Sequence, residues 1–290
     1  MTLADLLADA ERQLVEAGVG FGHGTTNAHD EAAWLVLHAL GLPLDTDAHA
    51  FSEQNGPLAG ASISQAATLL RARIDTRRPA AYLTREAWLQ GVPFYVDERA
   101  IVPRSLIAEA IADGAIDPWL GEQTRTVLDL CTGNGSLAVL AALAWPEVAV
   151  DAADLSADAL AVARINVDRH GLRGRITLIE SDGLARCPGP YDLILCNPPY
   201  VNSASMAALP PEYRAEPALA LAGGADGMDF IRPLLAQAPA HLGEHGVLVL
   251  EVGHGRAHFE AAFPGLNPVW LDTSAGGDQV LLLTREALTA

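Results

Sequence analysis

The chain has 290 residues, half of them hydrophobic, and a formal net charge of -18. All 18 basic residues are arginine, which excludes a Walker-type phosphate loop and a pyridoxal-phosphate Schiff base, since both need a lysine. Such acidity disfavours binding along a nucleic-acid backbone, where basic side chains must neutralise phosphates; it suits a basic protein partner or simple solubility.

At the amino end, Asp5 and Asp9 stand where a secretory signal would be basic. Thr2 is placed to cap a helix that carries Leu3, Leu6, Leu7, Ala10, Leu14 and Val15 on one face and ends at Gly18 and Gly20. Asn27 is placed to cap a second helix from Ala28 to Leu40, stopped by Gly41 and Pro43. The polar span from Asp45 to Gly60 reads as loop, and a third helix is expected from about Ser62 to Arg77. Residues 1–79 thus form an expected helical domain; it holds no catalytic constellation, and recognition is its natural role. From Ala80 the pattern turns extended, with Phe94-Tyr95-Val96 and Ala100-Ile101-Val102 read as a hairpin about Asp97-Glu98-Arg99. Residues 80–104 are the expected link.

Residues 105–290 alternate strand and helix, the mark of an α/β doubly wound sheet. Ser105 is placed to cap the first helix. Strands are expected at 127–130, 149–153, 176–179, 193–196 and 246–252, with a final hairpin of 269–271 and 279–284. That makes seven strands, one of them antiparallel at the edge. Pro233 and Pro239 are expected to interrupt the helical segment before the fifth strand. No uncharged apolar run approaches the ~18 residues of a membrane span. Cys131, Cys187 and Cys196 show no metal-type spacing, and no metal site is expected. Unpaired cysteines that close apolar strands fit a reducing, cytoplasmic setting.

Two turns bear the chemistry. Cys131-Thr132-Gly133-Asn134-Gly135 follows the first strand, where glycines permit positive φ and let a ligand approach the backbone. Asp154 closes the second strand and is placed to accept hydrogen bonds from both hydroxyls of a ribose. Asp182, after the third strand, is placed to accept one from an adenine amino group. This pattern fits a nucleoside cofactor and does not by itself separate NAD from S-adenosylmethionine. The second turn, Asn197-Pro198-Pro199-Tyr200, ends the fourth strand. Its prolines lack N–H groups and hold the backbone extended, so the ladder stops and acceptors are exposed. A carboxamide oxygen, backbone carbonyls and an aromatic ring suit a planar group bearing an NH2, the need of a methyltransferase rather than of a hydride-transfer enzyme. Read structurally, the same residues are a diproline strand end with Tyr200 as packing.

These segments resemble the class I S-adenosylmethionine-dependent protein glutamine methyltransferases of the HemK and PrmB type, and the resemblance covers nearly the whole chain. It implies a Rossmann-like seven-stranded sheet in the order 3-2-1-4-5-7-6 and a small helical amino-terminal domain that docks the protein substrate. S-adenosylmethionine is the implied cofactor, held by Cys131 to Gly135, Asp154, Asp182, Gly183 and Asn197, with Asn197 to Tyr200 gripping the substrate glutamine. Gly22-His23-Gly24-Thr25, Asn27 to Ala32, Phe94 to Arg99 and Val102-Pro103-Arg104-Ser105 look like the PrmB branch, which implies large-subunit ribosomal protein uL3 as the basic substrate. The release-factor branch typically has Pro-Arg-Pro followed by acidic residues where this chain has Pro103-Arg104-Ser105-Leu106. Asn134, in place of a small hydroxylated residue, and Leu106, in place of a proline, depart from the family pattern. The alternatives are methylation of a release factor, methylation of an exocyclic amine of a DNA or RNA base, NAD-dependent oxidoreduction and a non-catalytic scaffold.

Overall fold

A computed structural model describes residues 1–289, which divide into two compact units, Met1–Ala87 with Pro210–Ala215 and Trp88–Leu209 with Glu216–Ala290. The first unit is helical: α1 (Leu3–Glu16), α2 (Ala28–Leu40), α3 (Ala48–Asn55), α4 (Gly60–Thr76) and α5 (Ala80–Thr84). Thr2 and Asp5 close a capping box on α1, which buries Leu3, Leu6, Ala10 and Leu14. Val15, expected on that stripe, is 63 % exposed. Helix α3 lies in the span read as loop. Asp47 caps it, and none of its residues is buried, so no apolar stripe marked it in the sequence. Helix α5 likewise replaces the extended start expected at Ala80.

Helix α2 packs against both α1 and α4, and eight of its residues are buried, among them Glu31. That acid is compensated by the fully buried Arg73, whose Nε donates to Glu31 Oε1 at 2.7 Å. Thr25 Oγ1 donates to Glu31 Oε2 at 2.9 Å. Glu212, from the 210–215 segment, accepts from Gly20 N at 2.9 Å and lies 3.6 Å from Arg73. A buried ion pair is tolerable when most of its lone pairs and protons are bonded; here Arg73 Nη1 has the 3.6 Å approach of Glu212 and no hydrogen bond.

Next in the chain, β1 (Ala87–Leu89) and β2 (Val92–Phe94) pair as a hairpin. Gln90 and Gly91 both have positive φ, 50° and 72°, the backbone that a two-residue hairpin requires. The hairpin therefore precedes the one expected around Asp97. Residues 95–102 form no strand, because their polar groups are taken elsewhere: Asn166 binds both the N–H and the carbonyl of Tyr95, and Asp97 accepts from the backbone and guanidinium of Arg99.

The second unit continues with α6 (Ile107–Ala112), β3 (Thr126–Leu130), α7 (Ser136–Ala144), β4 (Ala149–Asp154), α8 (Ala157–Arg169), β5 (Ile176–Glu180), β6 (Tyr191–Cys196), α9 (Ser203–Ala208), α10 (Ile231–His241), β7 (Leu242–Glu251), α11 (Arg256–Ala262), β8 (Val269–Thr273), β9 (Gly276–Thr284) and α12 (Arg285–Thr289). Seven strands form one sheet in the order β5-β4-β3-β6-β7-β9-β8. Only β9 runs antiparallel to the rest, and it lies inside the edge rather than at it. Val280 to Leu283 are all buried, whereas Val269 of β8 is 42 % exposed; the apolar strand takes the interior place and the half-polar one the rim. Alternate strand residues feed two cores. Leu193, Leu195, Val247 and Val249 face α6 and α7, while Ile194, Cys196, Leu248 and Leu250 face α10 and α11. Helix α10 runs through both prolines: Pro233 occupies the first turn, where no N–H is needed, and Pro239 lies in the last turn, two residues from the helix end.

The N-cap of α6 is Leu106 rather than Ser105. Ser105 Oγ still accepts from Ile107 N at 3.2 Å, and it donates to Glu251.

Candidate active site

In the central register Leu130 of β3 pairs with Ala153 of β4 and with Cys196 of β6. The turns that follow these strands therefore emerge side by side at the carboxyl edge, the usual ligand side of an open α/β sheet. Thr132 N donates to Ala153 O at 3.0 Å, Gly135 N to Thr132 O at 2.8 Å and Gly133 N to Asp154 Oδ2 at 2.9 Å. Cys131, Gly133 and Gly135 all have positive φ, 61°, 55° and 81°. For Cys131 this is backbone strain of the kind found at functional turns. Gly135 has a second reason: a Cβ there would meet Ala163 at 3.1 Å, so its absence lets α7 and α8 close together.

Helix α7 has no side-chain cap at Gly135. Asp129, one turn back on β3, takes that place and accepts from Ala138 N at 2.9 Å and from Thr132 Oγ1. Burial nevertheless pushes its carboxyl up to about 7, overriding those hydrogen bonds, and the neighbouring Asp154 adds to the rise. Asp154 is also raised by burial, against backbone N–H donors from Ser156, Gly133 and Leu155. The Cys131 thiol lies beside that of Cys196, and their contact together with burial holds it well above the usual thiol range.

A cavity of about 800 Å³, its open mouth included, is lined by Leu130, Cys131, Gly133, Asp154, Leu155, Ser156, Ala159, Ser181, Asp182, Gly183, Asn197 and Pro199. Its volume suits a nucleoside-sized ligand. Cβ atoms built on Gly133 or Gly183 would meet nothing within 4 Å; both glycines leave room in the wall that a side chain would fill. Of the residues singled out in the sequence, Cys131, Gly133, Asp154, Asp182, Gly183, Asn197 and Pro199 share this cavity. Thr132, Asn134, Gly135, Pro198 and Tyr200 contribute no lining atoms to it; Thr132, Asn134 and Pro198 are buried.

The Asn197–Tyr200 turn is tightly seated. Val201 N donates to Leu221 O at 2.9 Å and Gly223 N to Val201 O at 2.8 Å. A Cβ on Gly223 would lie 2.8 Å from Pro199 O, and one on Gly227 only 2.3 Å from Tyr200 O. Tyr200 donates its hydroxyl to Glu251 Oε1 at 2.9 Å.

Two further segments complete the wall. Arg99, Ala100 and Ile101 form one flank, and Pro217, Leu219 and Ala220 another. A bidentate Arg104–Glu216 pair, with both N–O distances 2.7 Å, ties these two segments together, and Val102 N joins it at 3.0 Å. Asn166, which does not itself line the cavity, went unread in the sequence: its Nδ2 donates to Asn134 O at 2.8 Å and to Tyr95 O at 2.9 Å. The one available signal was an asparagine on the buried stripe of a helix, in line with Ala159, Val162 and Ala163.

A family model described as the methyltransferase small domain matches residues 116–209. The chain is 55 % identical over 295 residues to the ribosomal protein uL3 glutamine methyltransferase of Bordetella pertussis, covering 99 % of this chain and 96 % of that protein. To the ribosomal protein uL3 glutamine methyltransferase of Burkholderia pseudomallei it is 52 % identical over 299 residues, covering 100 % and 96 %. Among solved structures, the hMettl16 catalytic domain in complex with MAT2A 3'UTR hairpin 6 superposes with a TM-score of 0.53 at 14 % identity, over 78 % of this chain and 81 % of that one. This last likeness is one of fold alone. The seven-stranded α/β sheet is that of a class I methyltransferase, and a helical region precedes it in the chain.

Proposed function

The chain belongs to the family of ribosomal protein uL3 glutamine methyltransferases, and from that premise we propose that it methylates the side-chain amide nitrogen of a glutamine in uL3, with S-adenosylmethionine as methyl donor. When bound, the cofactor supplies a methyl group activated on a sulfonium. The remaining work is to align a poor nucleophile, because the amide lone pair is delocalised into its carbonyl. The observation that supports this reading best is the shared cavity, in which Asn197 and Pro199 stand in one wall with Cys131, Gly133 and Asp154.

In this reading Asp154 holds the ribose and Asp182 and Gly183 lie by the adenine. Cys131 and Gly133 accommodate the methionine part through backbone that positive φ turns toward the cavity. Thr132, Asn134 and Gly135 act from behind by keeping that backbone in shape. The Asn197 side-chain oxygen and the Pro198 carbonyl accept the two N–H bonds of the glutamine amide, which directs its nitrogen and favours partial pyramidalisation. Pro199 and Tyr200 hold the turn. The transfer leaves one surplus proton, which departs to water. The helical region, residues 1–79, is assigned to docking the substrate, and a chain with net charge -18 suits a basic partner.

Incubating the protein and labelled cofactor with undermethylated ribosomal proteins, and separately with release factors, tests the assignment. Label on uL3 is expected; label on release factors alone refutes the substrate, and tight binding of NAD in place of S-adenosylmethionine refutes the reaction class. Asn197→Ala is expected to abolish transfer while cofactor affinity, read by calorimetry, stays within about threefold.

A further inference from the structure

The reading of Asn197 as acceptor of the substrate amide leaves open what holds that side chain in register, and the answer lies in a carboxylate on a different strand. Glu251 is the last residue of β7 and is 3 % exposed. Its neighbour Leu250 pairs with Cys196, so Glu251 stands beside the strand end from which Asn197 emerges. Oε1 accepts the Tyr200 hydroxyl at 2.9 Å. Oε2 accepts Ser105 Oγ at 2.6 Å and Leu106 N at 2.9 Å. All three donors are neutral. They satisfy a carboxylate whose burial raises its pKa.

Gly253, two residues on, supports the same tyrosine from another side. A Cβ there would come within 2.5 Å of Tyr200 Cε2 and 3.0 Å of its Cζ, so the ring rests against bare backbone. Glu251 thus holds the hydroxyl end of Tyr200, Gly253 its ring, and Gly227 its carbonyl. Between Tyr200 and Asn197 stand two prolines with φ locked, and the residue before each is confined to extended backbone. That segment has little slack in which a movement of Tyr200 could be absorbed before it reaches Asn197.

We propose that Glu251 is a positioning residue for the methyl acceptor, fixing Tyr200 and, through the rigid Pro198-Pro199 segment, the Asn197 side chain, with Ser105 and Leu106 as the donors that fix Glu251 in turn. The role rests on the methyl-transfer reading for its consequence in catalysis, but its structural content is independent of it. Glu251 does not line the cavity; it acts through Tyr200 and Asn197, on the acceptor side of the site.

Three variants, Glu251→Gln, Tyr200→Phe and the two combined, test this with the intact protein. Glu251→Gln is expected to lower kcat for the protein substrate by about 10- to 100-fold, with KM for that substrate and cofactor affinity within about threefold. Tyr200→Phe, which removes one oxygen and leaves Glu251 its two other donors, is expected to keep the melting temperature close to that of the parent and to lower kcat by about tenfold. The pair is expected to be non-additive, no slower than Glu251→Gln alone. The Asn197 side-chain amide signal in a ¹⁵N correlation spectrum, identified by its loss in Asn197→Ala, is expected to shift in both single variants. Additive losses, cofactor affinity falling in step with kcat, or full kcat in Tyr200→Phe would overturn the proposal, as would an unmoved Asn197 signal. Failure of the parent protein to label any substrate would instead overturn the function, and the Asn197 signal would still decide the positioning.

Discussion

Asn166→Asp replaces one nitrogen by one oxygen at a fully buried site and tests how the cofactor-side wall is held. In the parent, Oδ1 accepts from Tyr95 N at 2.7 Å while Nδ2 donates to Tyr95 O and Asn134 O at 2.9 and 2.8 Å. Both polar groups of Tyr95 are thereby satisfied, and the strandless segment leading to Arg99, Ala100 and Ile101 is fixed beside the glycine loop. Truncation to alanine strips partners from one N–H and two carbonyls, which at about 1–3 kcal/mol for a buried orphan donor and less for each carbonyl amounts to about 3–5 kcal/mol. Aspartate keeps the acceptor but turns the donor into a charge facing two carbonyls, so at neutral pH it is expected to be at least as damaging as alanine. A proton restores one donor. The carboxyl of the variant is therefore raised in the folded state above its unfolded value of about 3.9. Its contribution to stability is fully present below that value and is lost as pH rises through the folded pKa, so the gap to the parent widens by up to about 1.4 kcal/mol per pH unit between the two. Urea denaturation at pH 5 and pH 8, with the parent as reference, measures this directly. A gap below about 1 kcal/mol, or one that does not change with pH, would refute the role given to Asn166.

Asp129, raised to about 7 by burial, follows the same sign in the parent protein. Its contribution to stability is fully present below the unfolded value and fades as pH rises through about 7, so Asp129→Asn, which cannot ionise, is expected to gain on the parent by up to about 4 kcal/mol between pH 4 and pH 8 in urea titrations. Gly227→Ala puts a Cβ 2.3 Å from Tyr200 O at a φ of +85°, and the obstacle is backbone. Methyl transfer is expected to fall more than about 100-fold. Gly41→Ala is the control, with φ +65° and nothing within 4 Å; it is expected to lose only about 1–2 kcal/mol of stability and to keep its activity.

Elements with a strong local signal were legible in advance. The Ala28–Leu40 helix has a capping asparagine and a terminal glycine, and both work through neighbours four residues away or fewer. Helix α3 buries nothing and so left no period to read. The misplaced hairpin shows the opposite case. Residues 94–102 have the β-branched and aromatic content of strands, but a side chain from α8, 71 residues distant, binds the backbone of Tyr95 that a ladder would need. Tertiary hydrogen bonds there overrode local propensity. The strand order of the resembled family appears in the sheet, whereas a terminal hairpin read in chain order puts the antiparallel strand at the rim.

The α/β alternation, the glycine turn after the first strand of the sheet, the acid that ends the next strand and the diproline turn are all written in local residue order. Each depends on φ limits or on a period of two or 3.6, and such constraints act between near neighbours. Which buried groups hold those turns emerges from the folded chain alone. Glu251 meets Ser105 across 146 positions and Glu216 meets Arg104 across 112, and at such separations a carboxylate that ends an apolar strand reads the same whether it faces water, a ligand or a tyrosine. Folding removes that degeneracy, because a buried carboxylate must find its donors or be destabilising.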